Sequence, residues 1–179
     1  MNLKKFSVLY KSLLCFFLLF SCSGEAVTST NSNNFPTIQG KNLNKVIKSV
    51  PDDFVDKNLI VILAFQQWHQ SLVDKSIETL ENSSIKNELN IIEVPTLGQF
   101  TKIGQLYLDG TMRAAIKDDA IRDRTITVYL DKESLKETLN IPNEDTIYWY
   151  LIKQNTSDIL LRGNGILLIE DIEKIKDLS

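Results

Sequence analysis

Sulfur and imidazole are scarce in this chain of 179 residues. It has two cysteines, Cys15 and Cys22, and a single histidine, His69. A zinc site without cysteine ligands needs more than one histidine, and the acidic residues do not follow the spacing of a calcium-binding loop. We therefore expect neither a bound metal nor another cofactor.

An excess of positive charge is also missing. The chain has 20 lysine and arginine residues against 23 aspartate and glutamate residues, and its net charge is −3. General nucleic-acid binding requires a basic surface that neutralises phosphates. The charge balance therefore argues against general nucleic-acid binding, and we expect no nucleic acid as a partner.

The longest apolar run at the N-terminus, residues 12–20, is too short to cross a bilayer, which takes about 20 apolar residues. Its length suits the apolar part of a signal peptide, about 7 to 15 residues. Lysines precede the run, and Ser21 and Cys22 follow it. This order resembles the lipobox of bacterial lipoproteins, although Phe20 is bulkier than the residue usual at its position. An ordinary cleaved signal peptide is the alternative.

The lipobox resemblance implies that the Cys22 thiol is lipidated and that the preceding residues are removed. We accordingly predict a signal peptide at residues 1–21, a flexible tether rich in Ser, Thr and Asn at residues 22–40, and a folded domain at residues 41–179. The protein would then lie in the cell envelope, outside the cytoplasm, with membrane lipid as a partner through Cys22. Such a mature chain has no free thiol, which excludes thiol redox catalysis.

The first half of the domain has the pattern of a β-α-β unit. A short helix is predicted within residues 41–55, before the buried strand at residues 59–65. Residues 66–90 have a helical rhythm that is interrupted near residues 82–84. A second strand at residues 90–94 follows, and the connection between the strands is expected to be right-handed.

In the second half of the domain, the sequence again predicts helices and strands in alternation. Helices are predicted at residues 100–108 and 111–122, separated by a break at Asp109-Gly110. A strand at residues 125–130, a helix at residues 132–139, a hairpin at residues 146–162 and a helix at residues 170–178 complete the chain. The order predicts an α/β, thioredoxin-like three-layer sandwich, with a central mixed sheet of about five strands and an inserted strand–helix segment.

The turn after the first buried strand is the first candidate site, with Gln67, Trp68 and His69. In thioredoxin-like folds the redox cysteines occupy this turn, but here His69 and Leu72 stand in their places. His69 would be able to act as an acid or base near neutral pH. The alternative is a structural histidine half-buried against Trp68.

Arginine marks the second candidate site. The chain has 16 lysines but four arginines, and Arg113, Arg122 and Arg124 lie within twelve positions. Asp109 and Met112 belong to the same segment. Arginine binds carboxylates through two parallel hydrogen bonds, so the segment would bind an acidic group of a partner. An internal network of ion pairs that fastens the segment to the sheet is the alternative.

Three sequence pieces carry a family resemblance: Met112-Arg113, residues 124–129 (RTITVY) and residues 141–146 (IPNEDT). They resemble the thioredoxin-like family that includes the mitochondrial assembly factor for the membrane-embedded a subunit of ATP synthase. The resemblance implies binding without turnover, with a membrane protein as client.

These observations together predict a membrane-anchored, non-redox, thioredoxin-like binding protein that assists assembly of a membrane complex and is not an enzyme. One alternative is an enzyme that uses His69 with Asp109 or Arg113 in a cleft. Another is a structural lipoprotein of the cell envelope.

Overall fold

The computed structural model describes residues 33–179, and within them seven strands form one sheet with helices on both faces. The strands are β1 (Ile38–Asn42), β2 (Ile47–Val50), β3 (Asn58–Ala64), β4 (Leu89–Leu97), β5 (Ile126–Tyr129), β6 (Tyr148–Ile152) and β7 (Ile159–Asn164). The helices are α1 (Gln70–Glu81), α2 (Lys102–Ala115), α3 (Asp119–Arg124), α4 (Lys132–Leu139) and α5 (Ile169–Leu178).

The strand order in the sheet is β2-β1-β5-β4-β3-β6-β7. Strands β3, β4 and β5 are parallel to one another, whereas β6, β7, β1 and β2 pair antiparallel with their neighbours. Parallel neighbours end at the same edge of a sheet. The carboxyl ends of β3, β4 and β5 therefore lie together, and the loops that follow them share one edge.

The core has two parts, one on each face of the sheet. Strand β3 contributes to both, because its five central residues are fully buried. Helix α4 covers one face through Leu135 and Leu139. Helices α1 and α5 cover the other, where Val73 and Ile172 are buried. Burial on both faces explains why β3 is a continuous apolar run without alternation.

Helix α4 shows how local sequence sets element boundaries. Asp131 precedes it, and its carboxylate accepts hydrogen bonds from the backbone N–H groups of Glu133 and Ser134. The helix ends at Asn140, which adopts the left-handed conformation (φ 55°) that asparagine tolerates well. The predicted helix at residues 132–139 is therefore confirmed.

The sheet is larger than predicted, with seven strands where about five were expected. The helix predicted within residues 41–55 is wrong, because residues 38–50 form the β1–β2 hairpin. Strand β1 pairs with β5, and Phe35 is buried in the core. The folded part thus begins upstream of the predicted boundary at Lys41, inside the segment predicted as a tether.

Helix α2 also differs from the prediction, since it runs through Asp109 and Gly110 without a break. The side chain of Asp109 accepts a hydrogen bond from the hydroxyl of Tyr129 on β5, at 2.8 Å. This tertiary contact holds the helix where local propensity predicts its end. Helix α3 is accordingly shorter than the predicted helix at residues 111–122 and begins at Asp119.

Candidate functional site at the carboxyl edge of the parallel strands

The first candidate segment lies where β3 reaches the carboxyl edge of the sheet. Residues Gln67–His69 form one 3-10 turn between β3 and α1. Gln67 and Trp68 are exposed, with 57% of Trp68 accessible, whereas His69 is fully buried. The turn therefore presents an indole to solvent and directs its imidazole into the protein.

His69 is held by its neighbours along the chain. Its Nδ1 accepts a hydrogen bond from the backbone N–H of Phe65 at 3.2 Å. The Trp68 ring lies edge-on against it, with ring centroids 4.2 Å apart. Because Nδ1 is the acceptor, the proton of the neutral ring is on Nε2, which has no hydrogen-bond partner of ordinary geometry among residues 33–179.

Burial lowers the pKa of His69, because a charged imidazolium loses its solvation in the core. The backbone carbonyl and the carboxylate of Glu144 act in the opposite direction but do not outweigh burial. The histidine is thus neutral at pH 7. It is out of reach of a substrate at the surface, so the structural interpretation of His69 fits better than the acid–base one.

A charge cluster lies beside this turn, between α4 and the loop before β6. The carboxylate of Glu144 accepts hydrogen bonds from Lys132 at 2.7 Å and from Gln66 at 2.7 Å, and Lys136 lies 3.2 Å away. Burial alone would raise the pKa of Glu144, but the two lysines outweigh it and the pKa is lowered. Glu144 therefore ties the end of β3 to α4 as a carboxylate.

Glu93 is a buried group that the sequence analysis missed. It lies on β4, and its carboxylate accepts hydrogen bonds from the Thr125 hydroxyl and from Gln70, the latter at 3.3 Å. Gln70 is the first residue of α1, so Glu93 lies under the N-terminal end of that helix. In the sequence, the feature that could have indicated this buried carboxylate is that Glu93 is an acidic residue within a mostly apolar strand.

The second candidate segment is divided between α2 and α3. On α2, Met112 is half-buried, Asp109 is bonded to Tyr129, and the Arg113 guanidinium donates to the backbone carbonyl of Leu43 at 2.5 Å. Burial is the main reason that the pKa of Tyr129 is raised, and Asp109 adds to it. Asp109 and Arg113 thus fasten α2 to β5 and to the β1–β2 hairpin.

The other two arginines of this segment have separate partners. Arg122 donates to the carbonyl of Lys117 at 2.8 Å and lies 3.7 Å from Asp119. Arg124 pairs with Glu81 at the end of α1. The three arginines bind different groups, as an internal fastening network requires, and they do not converge on one site.

The enzyme alternative required His69 and Asp109 or Arg113 to share a cleft. Asp109 lines a cavity of about 240 Å³. Neither His69 nor Arg113 lines this cavity, whose other lining residues are Gln39, Gly40, Lys41, Ile47, Gln105, Thr127 and Tyr129. His69 is completely buried, and Arg113 does not line this cavity. His69, Asp109 and Arg113 therefore do not share a catalytic cleft.

Two further expectations concern metals and the membrane. Between residues 33 and 179, no group of His, Cys, Asp and Glu side chains has an arrangement that would hold a metal ion. In the same range, no helix combines the length and the hydropathy needed to span a bilayer. Cys22, the predicted lipidation site, lies outside the described residues.

Solved structures share this architecture. The chain resembles the exposed lipoprotein thioredoxin Etrx1 of Streptococcus pneumoniae (TM-score 0.54, 9% identity, 80% of this chain and 100% of that one). It also resembles a thioredoxin domain of a thiol-disulfide oxidoreductase from Bacteroides vulgatus (TM-score 0.52, 18% identity, 79% of this chain and 94% of that one). A third similar structure is a thiol-disulfide oxidoreductase from Bacteroides fragilis (TM-score 0.51, 16% identity, 82% of this chain and 99% of that one). No protein-family description and no curated protein sequence matches it. The fold is therefore thioredoxin-like, as predicted.

These similarities correct the functional prediction. A non-redox assembly factor that is not an enzyme was expected, but all three structures carry the name of a thioredoxin or a thiol-disulfide oxidoreductase. The excluded redox role had depended on the fates of Cys15 and Cys22, and both residues lie outside the described part of the chain. That exclusion does not stand.

Proposed function

We propose that this protein has a redox-related function in thiol–disulfide exchange, in which its thioredoxin-like domain receives a cysteine-bearing segment of a partner protein. The observation that carries the proposal is the position of exposed Trp68 at the carboxyl end of β3, in a fold shared with thiol-disulfide oxidoreductases. An exposed indole next to a rigid turn offers apolar contact area for an extended segment.

The sulfur atoms for the exchange come from the partners. Residues 33–179 contain no cysteine, so the proposal assigns the exchanging sulfurs to the partners. In the proposed reaction the bound segment carries the disulfide, and a thiolate of a second protein attacks one of its sulfurs. One S–S bond breaks as another forms, and the leaving thiolate takes up a proton, so atoms and electrons balance.

The features of the turn suit binding more than exchange. Helix α1 directs its N-terminal end toward this edge, and that end favours a nearby thiolate over a thiol. Gln67 is free to donate to or accept from a backbone, since its side chain is exposed. In the proposed reaction, this end of α1 would stabilise the thiolate that leaves the bound disulfide.

We also propose that the domain works outside the cytoplasm, tied to a membrane through lipid on Cys22. The order of basic residues, apolar run, small residue and cysteine at residues 4–22 supports this attachment. One of the structurally similar proteins is itself named as an exposed lipoprotein.

The test places a photo-crosslinking amino acid at position 68 of the full chain in cells of the source organism. Mass spectrometry then identifies the captured peptides. We expect peptides that contain a cysteine, and we expect the thiol state of those cysteines to change when the gene is deleted. Position 86 is the control, because Lys86 is exposed and follows the other end of α1.

Captured segments without cysteine, or equal capture at positions 68 and 86, would refute the binding site. The intact mass of the mature protein tests the attachment separately, since lipid on Cys22 adds the mass of its acyl groups. A free Cys22 thiol that is needed for disulfide reduction would instead assign the exchanging sulfur to this chain.

A further inference from the structure

The outer surface of α2 is apolar. Ile103, Leu106 and Tyr107 are 82%, 73% and 74% exposed, although all three are large side chains. Their spacing of three and four places them on one face of the helix, and Gly110 and Ala114 continue that face. An exposed apolar face of this kind marks a surface that is covered in the working protein.

Few contacts hold α2 to the rest of the domain. None of its residues is fully buried. The inward side is attached by polar contacts, from the Tyr129 hydroxyl to Asp109 and from Arg113 to the Leu43 carbonyl. The apolar residues of the outer face therefore do not contribute to the core, and folding does not explain them.

The charged residues around α2 lie at its two ends and on its inward side, and they leave the outer face apolar. Its one acidic residue, Asp109, is turned inward to Tyr129. Lys102 is exposed at the start of the helix, and Lys117 is exposed just beyond its end. Of the acidic residues that follow, Asp118 caps α3, and Asp119 lies 3.7 Å from Arg122 with its side chain 83% exposed.

The proposed lipid on Cys22 brings a membrane surface within reach of α2. Residues 23–32 connect Cys22 to Asn33, the first described residue. A connection of that length reaches at most about 40 Å. The diameter of a domain of this size is also roughly 40 Å, so a membrane that holds the lipid on Cys22 is within reach of every face.

We propose that α2 is a membrane-contact helix, which lies on the lipid surface with Ile103, Leu106 and Tyr107 inserted at the level of the headgroups. Interfacial helices of this class have an apolar face, flanking basic residues and aromatic side chains at the boundary. The inference rests on the membrane attachment proposed above. It adds a second contact that orients the domain, where a tether alone would leave it free to rotate.

The experiment uses the full chain in its native membrane. A photo-crosslinking amino acid replaces Ile103 or, as the matched control, Ile169, an isoleucine of α5 that is 76% exposed. After illumination, mass spectrometry separates phospholipid adducts from protein adducts. We expect phospholipid adducts at position 103 and none at position 169. With the crosslinker moved to position 110, the double variant Ile103→Ser, Leu106→Ser should lose its phospholipid adducts.

Protein adducts at position 103, without lipid, would overturn the inference and make α2 a protein-docking helix. Absence of lipid adducts there, while the protein stays in the membrane fraction, would overturn it and leave the attachment intact. A protein that leaves the membrane fraction altogether would refute the attachment itself. The cysteine-bearing partner at position 68 is unaffected by all three outcomes.

Discussion

The backbone N–H of Phe65 donates a hydrogen bond to Nδ1 of His69, four residues along the chain, at 3.2 Å. Protonation of His69 would place a hydrogen on Nδ1 and abolish this bond. It would also place a charge in a site that water does not reach. The end of β3 is therefore joined to the start of α1 by a contact that exists in the neutral form of the histidine.

This contact predicts a dependence of stability on pH. The folded-state pKa of His69 is below its ordinary value of 6.5, so the unfolded chain binds the proton more readily. The stabilisation is complete above pH 6.5 and is lost as the pH falls below it, with a slope of at most about 1.4 kcal/mol per pH unit. Urea denaturation between pH 7.5 and 5, values that bracket the ordinary histidine pKa of about 6.5, measures the slope.

His69→Asn is the matched variant, because its side-chain oxygen is able to replace Nδ1 as acceptor without titrating. As His69 is the sole histidine of the chain, this variant should lose most of the slope above pH 5.5, a value above the ordinary carboxyl pKa values of about 4. An unchanged slope would show that another group is responsible.

Replacement of Glu144 tests the charge cluster. Glu144→Gln should reduce the free energy of unfolding at pH 7 by about 1.5 kcal/mol, since Lys132 and Lys136 lose their common carboxylate. The pKa of Glu144 is below its ordinary value of 4.5, so its contribution is present above that value and is lost as the pH falls through the folded-state pKa.

The difference in stability between wild type and Glu144→Gln should therefore shrink as the pH falls below the ordinary glutamate pKa of 4.5 toward about pH 3. Glu137→Gln is the control, because Glu137 is exposed on α4, the helix that carries Lys132 and Lys136. A similar loss in both variants would indicate a general effect of charge on α4.

Replacement of two glycines by alanine should change the stability of the fold in opposite directions. A Cβ at Gly163 would lie 2.2 Å from Cζ2 of Trp149, its partner across the β6–β7 ladder. We expect Gly163→Ala to destabilise the fold by about 1 to 3 kcal/mol. A Cβ at Gly110 meets no atom within 4 Å, and Gly110→Ala should stabilise the protein by about 0.5 to 1 kcal/mol.

Thermal and urea denaturation measure both changes. In a Trp149→Leu background the loss caused by Gly163→Ala should become smaller, because the indole is the group that the new methyl meets. The same loss in both backgrounds would rule out the indole as the cause.

The attachment of α2 gives a prediction about exchange rates. Tyr129→Phe removes the hydrogen bond to Asp109 and should cost about 1 kcal/mol. Because α2 has few other contacts, its amides should exchange with deuterium faster, while those of β3 are unchanged. Tyr107→Phe is the control, as its hydroxyl belongs to a side chain exposed on the opposite face. Equal exchange in the two variants would contradict the role of Tyr129.

The parts of the fold with strong local signals were predictable. The β3 run and the periodicities of α1, α4 and α5 reflect burial against the sheet. The β1–β2 hairpin was mistaken for a helix, because Leu43, Val46, Ile47 and Val50 have helical spacing. Its strand state depends on pairing with β5, a contact more than 80 residues away in sequence.

The position of the turn that carries Trp68 and His69 was predictable, but the surroundings of these two residues were not. The turn at residues 66–69 followed from the apolar strand before it. The burial of His69, and the different partners of the three arginines, depend on tertiary packing that residue spacing does not show. The pairing of Asp109 with Tyr129 likewise explains why α2 continues past Gly110.

Strand β2 has one further consequence. It is an outermost strand of the sheet, it is four residues long, and Pro51 follows it directly. Proline has no N–H to donate, and short outer strands are poor templates for adding a strand from another molecule. On this side the sheet is therefore poorly suited to extension by neighbouring copies. We expect the protein to remain free of β-aggregates formed through β2 even at high local concentration.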